Sequence, residues 1–336
     1  MNVLLTCAGR RNYLVEFFRA ALDGGGQVYA ADCSKDAPAL QEADRSFVVP
    51  PVTHPGYIEH MLELCHAQAV QVLVPLNDVE LPLLARNRER FGVGGTLALV
   101  SSPDVIDTCF DKWATTRFLK SCGIASPSTY LTVREAQTAL HQRKIAFPLV
   151  VKPRWGSASI GIVYVERAED LAPAYQLIKH QLASTVLAEA SSRDLDHAVL
   201  IQQRLPGQEF SLDVVNDLGG HHVATFARRK LAMRAGETDR AVTVDSHEFD
   251  RLGAVIGQQL GHTGNLDCDV FQTEDQLYVL ELNPRFGGGY PFSHAAGADL
   301  PAALVAWASG TAHDPRWLHP RPGVTTAKTD RLVTMN

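Results

Sequence analysis

Glu281 and Asn283 stand two residues apart at the end of an apolar run in LELNPRFGGG (280–289), with Arg285 and three glycines directly behind them. On a strand, residues two apart face the same side, so these two present hard oxygens to one point. Mg2+ prefers such oxygens. A buried, unpaired carboxylate is costly, so a positive partner is expected for Glu281. Upstream, NLDCDVF (265–271) reads as a second strand that turns back through TEDQ. An odd-numbered connection sets Asp269 across from Glu281, an even one sets Cys268 there, and the sequence leaves both open. A plain hairpin with solvent-facing acids would carry the same residues.

Three further stretches have chemistry in them. KPRWGSASIG (152–161) delivers Lys152 from a strand into a loop with Gly156, Ser157, Ser159 and Gly161. Small residues let backbone N–H groups approach phosphate oxygens, and lysine adds a point charge. Lys152 precedes the glycines, so this is not a Walker A loop. In IQQRLPGQEF (201–210), Gln202 and Gln203 at a strand end suit an adenine edge, and Glu209 suits ribose hydroxyls. Lys112, Arg228, Arg229, Lys230, Arg234, Arg240 and Arg285 form a cationic set. A site holding phosphates and a carboxylate needs such charges, although solvated surface accounts for some of them.

The elements that must position these residues fall into two patterns. Apolar runs at 2–9, 27–32, 46–50, 70–76 and 96–102 alternate with amphipathic stretches at 11–22 and 57–68. That alternation predicts a parallel α/β sheet, whose ligands sit beyond the carboxyl ends of its strands. Gly9 and Asp32 resemble part of a dinucleotide fingerprint, but CAGRRNY has one glycine where the fingerprint has three. Asp78 and Glu80 follow the fourth run, either beside a substrate or, for Asp78, as a helix N-cap. Beyond Ser102-Pro103, helices are expected over 104–123, 134–144, 168–190 and 247–261. Strands are expected at 147–153, 162–166, 199–205, 209–217, 222–231 and 241–245, with a strand pair spanning 266–283, mostly antiparallel. The fold class is an α/β domain followed by an α+β fold of two subdomains, divided as 1–105, 106–195 and 196–336.

Bulk properties narrow the partners. The 336 residues are 46% hydrophobic and 20% charged with net charge −6, so no polyanion or anionic membrane is favoured. Nucleic acid and membrane are therefore not expected as partners. The six cysteines show no Cys-x-x-Cys spacing, and no leader or membrane-length apolar run is visible. Reduced thiols and a cytoplasmic location are the expectation.

Taken together and in order, these stretches resemble the ATP-grasp superfamily of carboxylate–amine ligases. The likeness is strongest to short proteins similar to an ATP-binding half of the carbamoyl-phosphate synthase large subunit. It spans LLTCAGRR, FDKW, PLVVKPRWGSASIG, LIQQRLPGQEFSLDV, RRKLAMRAGETDRAVTV and ELNPRFGGG. The resemblance implies a pre-ATP-grasp domain, then small and large ATP-grasp lobes. It implies ATP held by Lys112, Lys152, the 156–161 loop, Gln202, Gln203, the Leu205 backbone and Glu209. Asp269, Glu281 and Asn283 would hold Mg2+, two ions with Mn2+ able to replace them. Arg285 would contact the transferred phosphate, with Arg234 and Arg240 as further phosphate or substrate residues. Arg10, Arg11, Asp78, Glu80, Gly287, Gly288, Gly289 and His294 are the substrate candidates, the glycines leaving room for the activated substrate. The implied reaction joins a small carboxylic acid, an amino acid being one such acid, to an amine through an acyl phosphate. Assembly as a homodimer is compatible with this. A non-catalytic ATP-binding protein of the same fold and a nicotinamide-dependent oxidoreductase are the alternatives.

Overall fold

The computed structural model describes residues 1–156, 161–274 and 276–335. Ser157 and Ser159 of the expected phosphate loop lie outside the described residues. The first five strands, β1 (Asn2–Thr6), β2 (Gln27–Asp32), β3 (Arg45–Val48), β4 (Val72–Pro75) and β5 (Leu97–Ala98), are parallel and ordered β3-β2-β1-β4-β5. Helices α1 (Asn12–Leu22), α2 (Pro38–Glu42), α3 (Tyr57–Ala67) and α4 (Leu81–Val93) connect them. Val3, Leu4 and Leu5 are wholly buried, because a central parallel strand is covered on both faces and so reads as an unbroken apolar run. Strand order reverses at β1, with β2 on one side and β4 on the other. The loops leaving β1 and β4 therefore flank the crevice where such sheets bind ligands.

Two short helices follow, α5 (Pro103–Phe110) and α6 (Lys112–Ser121). Next, β6 (Thr129–Tyr130), β7 (Leu149–Pro153), β8 (Val163–Val165) and β9 (Val199–Gln203) form an antiparallel sheet ordered β6-β9-β7-β8. The helices α7 (Val133–His141), α8 (Ala168–Leu182) and α9 (Ala188–Ser191) accompany it. Leu149 and Val151 of β7 and Val199 and Ile201 of β9 pack with Leu171 and Ile178 of α8 in one apolar core. Alternation then turns Val150, Lys152, Leu200 and Gln202 to the other face.

The remaining strands are β10 (Gln208–Asn216), β11 (His222–Arg234), β12 (Glu237–Val244), β13 (Gly264–Gln272), β14 (Leu277–Asn283) and β15 (Thr325–Ala327), in the sheet order β14-β13-β10-β11-β12-β15. Helices α10 (His247–Leu260), α11 (Tyr290–Ala295) and α12 (Leu300–Ala308) complete the chain. The chain divides into two compact units. One comprises Met1–Ile106, Ser211–Asp267 and Asn283–Asn336, the other Asp107–Phe210 and Cys268–Leu282. They are interleaved in sequence, unlike the consecutive segments 1–105, 106–195 and 196–336, because β10, β13 and β14 each contribute residues to both.

Candidate functional site

In the unit built on 107–210 and 268–282, four charged side chains converge. Asp111 caps α6, accepting from the Trp113 N–H at 2.9 Å. Its carboxylate also takes two bonds from Arg154, at 2.8 and 2.7 Å, and Arg154 lies over the Trp155 ring. That double grip fixes the first turn of α6, whose first residue is Lys112. The Lys112 amine then donates to the Gly156 carbonyl and stands 3.7 Å from Glu281. Gly156 has φ +90, and a Cβ there would come 2.5 Å from the Leu187 side chain. Only glycine lets the chain turn at the point where Lys112 binds it.

Lys152 is buried, and burial, its largest perturbation, together with the Lys112 charge lowers its pKa to about 8, against the opposing pull of Glu281 and Asp269. Two amines and two carboxylates thus act on one another at the end of β7 and on the paired strands β13 and β14. Among the described residues no three His, Cys, Asp or Glu side chains form a group able to hold a metal ion unaided. Asp269 and Glu281 supply two carboxylates, donors of the kind that suit a hard cation completed by phosphate oxygens and water. An anion beside Lys152 would relieve the penalty that Lys112 imposes, so phosphate also fits the residues present.

The glutamines separate. Lys152 pairs with Leu200 and Val150 with Gln202, so Gln202 shares the Lys152 face of the sheet. Its side-chain amide donates to Thr129 at 2.9 Å. Gln203 pairs with Leu149 and lies on the opposite, core-side face. Strand pairing separates the two expected adenine-edge residues: only Gln202 shares the lysine's face. Leu205 follows the end of β9, and Glu209 is half-buried on β10.

The other unit holds Arg285 and the substrate candidates, of which Asp78 bonds to Arg285 directly. Its Nε and Nη2 both donate to Asp78 Oδ2, at 2.8 and 2.6 Å, and Nη1 donates to the Phe286 carbonyl at 3.1 Å. Asp78 is thus an ion-pair partner and not the helix cap, a position held by Glu80. Glu80 itself is wholly buried and accepts from Leu76 N–H at 3.1 Å, Asn77 N–H at 3.2 Å and Tyr57 OH at 2.9 Å. Burial pushes its pKa up. It closes the turn after β4. Arg11 donates to the carbonyls of Leu76 and Phe286, tying that turn to the segment after β14.

Several expectations on the remaining candidates change. Arg10 is exposed near Asp330, Arg234 pairs with Asp330 at 2.7 Å and Asp239 at 3.1 Å, and Arg240 is exposed on β12. Arg234 therefore serves a surface ion network. His294 stacks on Phe17 with ring centroids 3.6 Å apart, and burial lowers its pKa. Asp32, the acid of the partial fingerprint, accepts from the Gly9 and Ser34 N–H groups, both at 2.9 Å. It holds its own loop. In the glycine run, a Cβ on Gly287 would overlap the Asp267 carboxylate, and one on Gly289 would stand 2.7 Å from Cζ of Arg228. Gly288 lies beside the Glu237–Lys328 pair. The glycines at 287 and 289 make room for side chains of the protein itself.

Comparison with known proteins bears on the fold. Residues 3–99 match the family model described as PylC-like, N-terminal domain. Residues 196–331 match the model described as ATP-grasp in the biosynthetic pathway with Ter operon. Among solved structures, the biotin carboxylase domain of 2-oxoglutarate carboxylase from Hydrogenobacter thermophilus, a dimer with MgADP, ADP and bicarbonate, is 18% identical with TM-score 0.71, covering 92% of this chain and 69% of that one. Biotin carboxylase from Campylobacter jejuni is 17% identical with TM-score 0.72, covering 95% and 73%. N5-carboxyaminoimidazole synthetase from Staphylococcus aureus, with ADP, is 16% identical with TM-score 0.67, covering 97% and 79%. The fold is thus a parallel-sheet N-terminal domain followed by an ATP-grasp fold with antiparallel sheets. No helix among the described residues is long and apolar enough to cross a membrane.

Proposed function

We propose that this chain, whose residues 3–99 match a PylC-like N-terminal model and whose residues 196–331 match an ATP-grasp model, is an ATP-dependent ligase joining a small carboxylic acid to an amine. The observation that carries this reading is the meeting of Lys112, Lys152, Glu281 and Asp269. ADP in two of the similar structures, with magnesium in one, supports a nucleotide there.

Lys112 and Lys152 would hold the phosphates, Glu209 the ribose, and Gln202 the base side of the Lys152 face. Asp269, Glu281 and Asn283 would hold Mg2+, which supplies charge stabilisation for the phosphoryl group in transfer. A substrate carboxylate oxygen attacks the γ-phosphorus, forming a P–O bond as ADP leaves. The amine then attacks the carbonyl carbon, forming the C–N bond as phosphate leaves and the nitrogen gives up a proton. Arg285 would pair with the carboxylate and then with its phosphoryl group. No covalent enzyme nucleophile is needed.

Lys152 gives the reading a pH signature. Its amine is charged below about 8 and neutral above. A protonated amine donates a charge-assisted hydrogen bond worth roughly 1.5–3 kcal/mol, so ATP affinity is expected to fall about tenfold or more as pH rises through that value. Calorimetric titration on either side of it measures the change, and a flat profile would remove Lys152 from the phosphates.

The reaction itself is tested by incubating the protein with ATP, Mg2+, pools of carboxylic acids and hydroxylamine. Hydroxamate appearing with ADP identifies the acid and the acyl phosphate. AMP in place of ADP would overturn the mechanism, and ATP binding with no acid-dependent ADP would favour a non-catalytic binder.

A further inference from the structure

We propose that Asp267 is a positioning residue that presets Arg285 and the 287–289 glycine loop for ligation; the proposal rests on the ligase reading above. Asp267 precedes Asp269 by two residues on β13, so both point to the same face of the strand. Its Oδ1 accepts from Ser211 Oγ at 3.1 Å and from Arg228 Nη2 at 3.4 Å, while its Oδ2 stands 3.7 Å from Arg285 Nη1. One carboxylate is therefore shared between two guanidinium groups.

The charges show why this sharing matters. Arg228 is wholly buried, with Asp213, itself wholly buried, as its ion pair. Ser293 Oγ at 3.0 Å and Ser211 Oγ at 2.8 Å accept its other bonds. Arg285 has Asp78. Both cations would be answered without Asp267, and a further largely buried carboxylate is expensive unless it serves a purpose. Its place supplies one. The Gly287 backbone lies so close over Asp267 that a Cβ would overlap the carboxylate, and the Gly289 backbone lies over Arg228 in the same way. The loop is moulded on these two side chains. Asp267 is the group that touches the loop, the fixed Arg228 and the candidate phosphate-binding Arg285 together.

Arg228 is held by Asp213 and two serines, so it cannot itself turn toward a ligand. It acts as a rigid anchor from which Asp267 sets the second arginine. Preset donors aimed at developing charge need no reorganisation during reaction. Loss of a supporting carboxylate typically costs about 10–100-fold in activity when the group it orients stays in place.

Asp267→Asn keeps shape and the clearance under Gly287 but removes the charge shared by the two guanidinium groups. With the acid found by the hydroxamate assay, its kcat is expected to fall about 10–100-fold. ATP Kd should stay within about twofold of the parent, because the substitution leaves Lys112, Lys152, Gln202 and Glu209 themselves unchanged. Ser211→Ala, which removes the hydroxyl that donates to Asp267 Oδ1 and accepts from Arg228, should lower kcat in the same direction by about three- to tenfold and gives the answer if Asp267→Asn does not fold. Unchanged kcat in folded Asp267→Asn or Ser211→Ala, with only thermal stability lowered, would overturn the positioning role. Absence of acid-dependent ADP from the parent protein would instead overturn the ligase reading, and this proposal with it.

Discussion

Glu281→Gln is expected to fold, and to release ADP at least about 100-fold more slowly than the parent chain. A metal ion's stabilisation of phosphoryl transfer is worth several kcal/mol, and each 1.4 kcal/mol is about tenfold in rate. The glutamine keeps the volume and one oxygen but loses the charge that a cation needs. It also loses the partner that stands 3.7 Å from Lys112. A second signature follows from Lys152, whose proton is held partly by the Glu281 charge. Without that charge its pKa, already lowered to about 8 by burial and by Lys112, drops further. The pH at which ATP affinity begins to fall should therefore shift downward. ADP release by coupled assay and ATP affinity against pH measure the two effects. Retained turnover with an unmoved pH profile would take Glu281 out of the site.

The hard-cation reading of LELNPRFGGG comes from residue types alone. Carboxylate and amide two apart on a strand, followed by arginine, suggest a hard-cation site, although a solvent-facing hairpin would carry the same residues. Lys152 is reached through a local strand-to-loop pattern, whereas the nucleotide role of Lys112 comes from the resemblance that FDKW helps to carry. What could not be read were partners brought together by topology. Arg285 and Asp78 are 207 residues apart in sequence, and nothing local to either signals the other. Asp78 and Glu80 stand two apart in the sequence, yet one pairs with an arginine and the other is buried against Tyr57 and two backbone N–H groups. Gln202 and Gln203 look equivalent until strand pairing assigns them to opposite faces.

The glycine run carries a related lesson. Three consecutive glycines read as space for a substrate, since a missing Cβ implies something close by. The inference of close approach was sound, but the neighbour was misassigned. Asp267 and Arg228 lie against Gly287 and Gly289, and both come from other strands. Asp267 could have been noticed, because it is two residues from Asp269 and so shares its face. Arg228 could not, because RRK offers three cations and only the burial of β11 singles one out.

Arg285 provides the second large effect, and a double variant separates its two roles. Arg285→Met is expected to destabilise the chain by about 3–5 kcal/mol, because it leaves Asp78 buried without the cation that both Nε and Nη2 now supply. Turnover lost in that variant would therefore say little about chemistry. Adding Asp78→Asn removes the stranded charge, and most of the lost thermal stability should return. Under the proposed mechanism turnover should not return with it, because no guanidinium is left to meet the developing phosphoryl charge. Arg285→Lys divides the question further. Lysine keeps the charge but not the planar fork, so it should retain part of the Asp78 pairing and little of the rate. Thermal melts and acid-dependent ADP release on the three variants give the comparison. If the double variant regained stability and turnover together, Arg285 would be a structural residue and the phosphoryl group would need another partner in this fold.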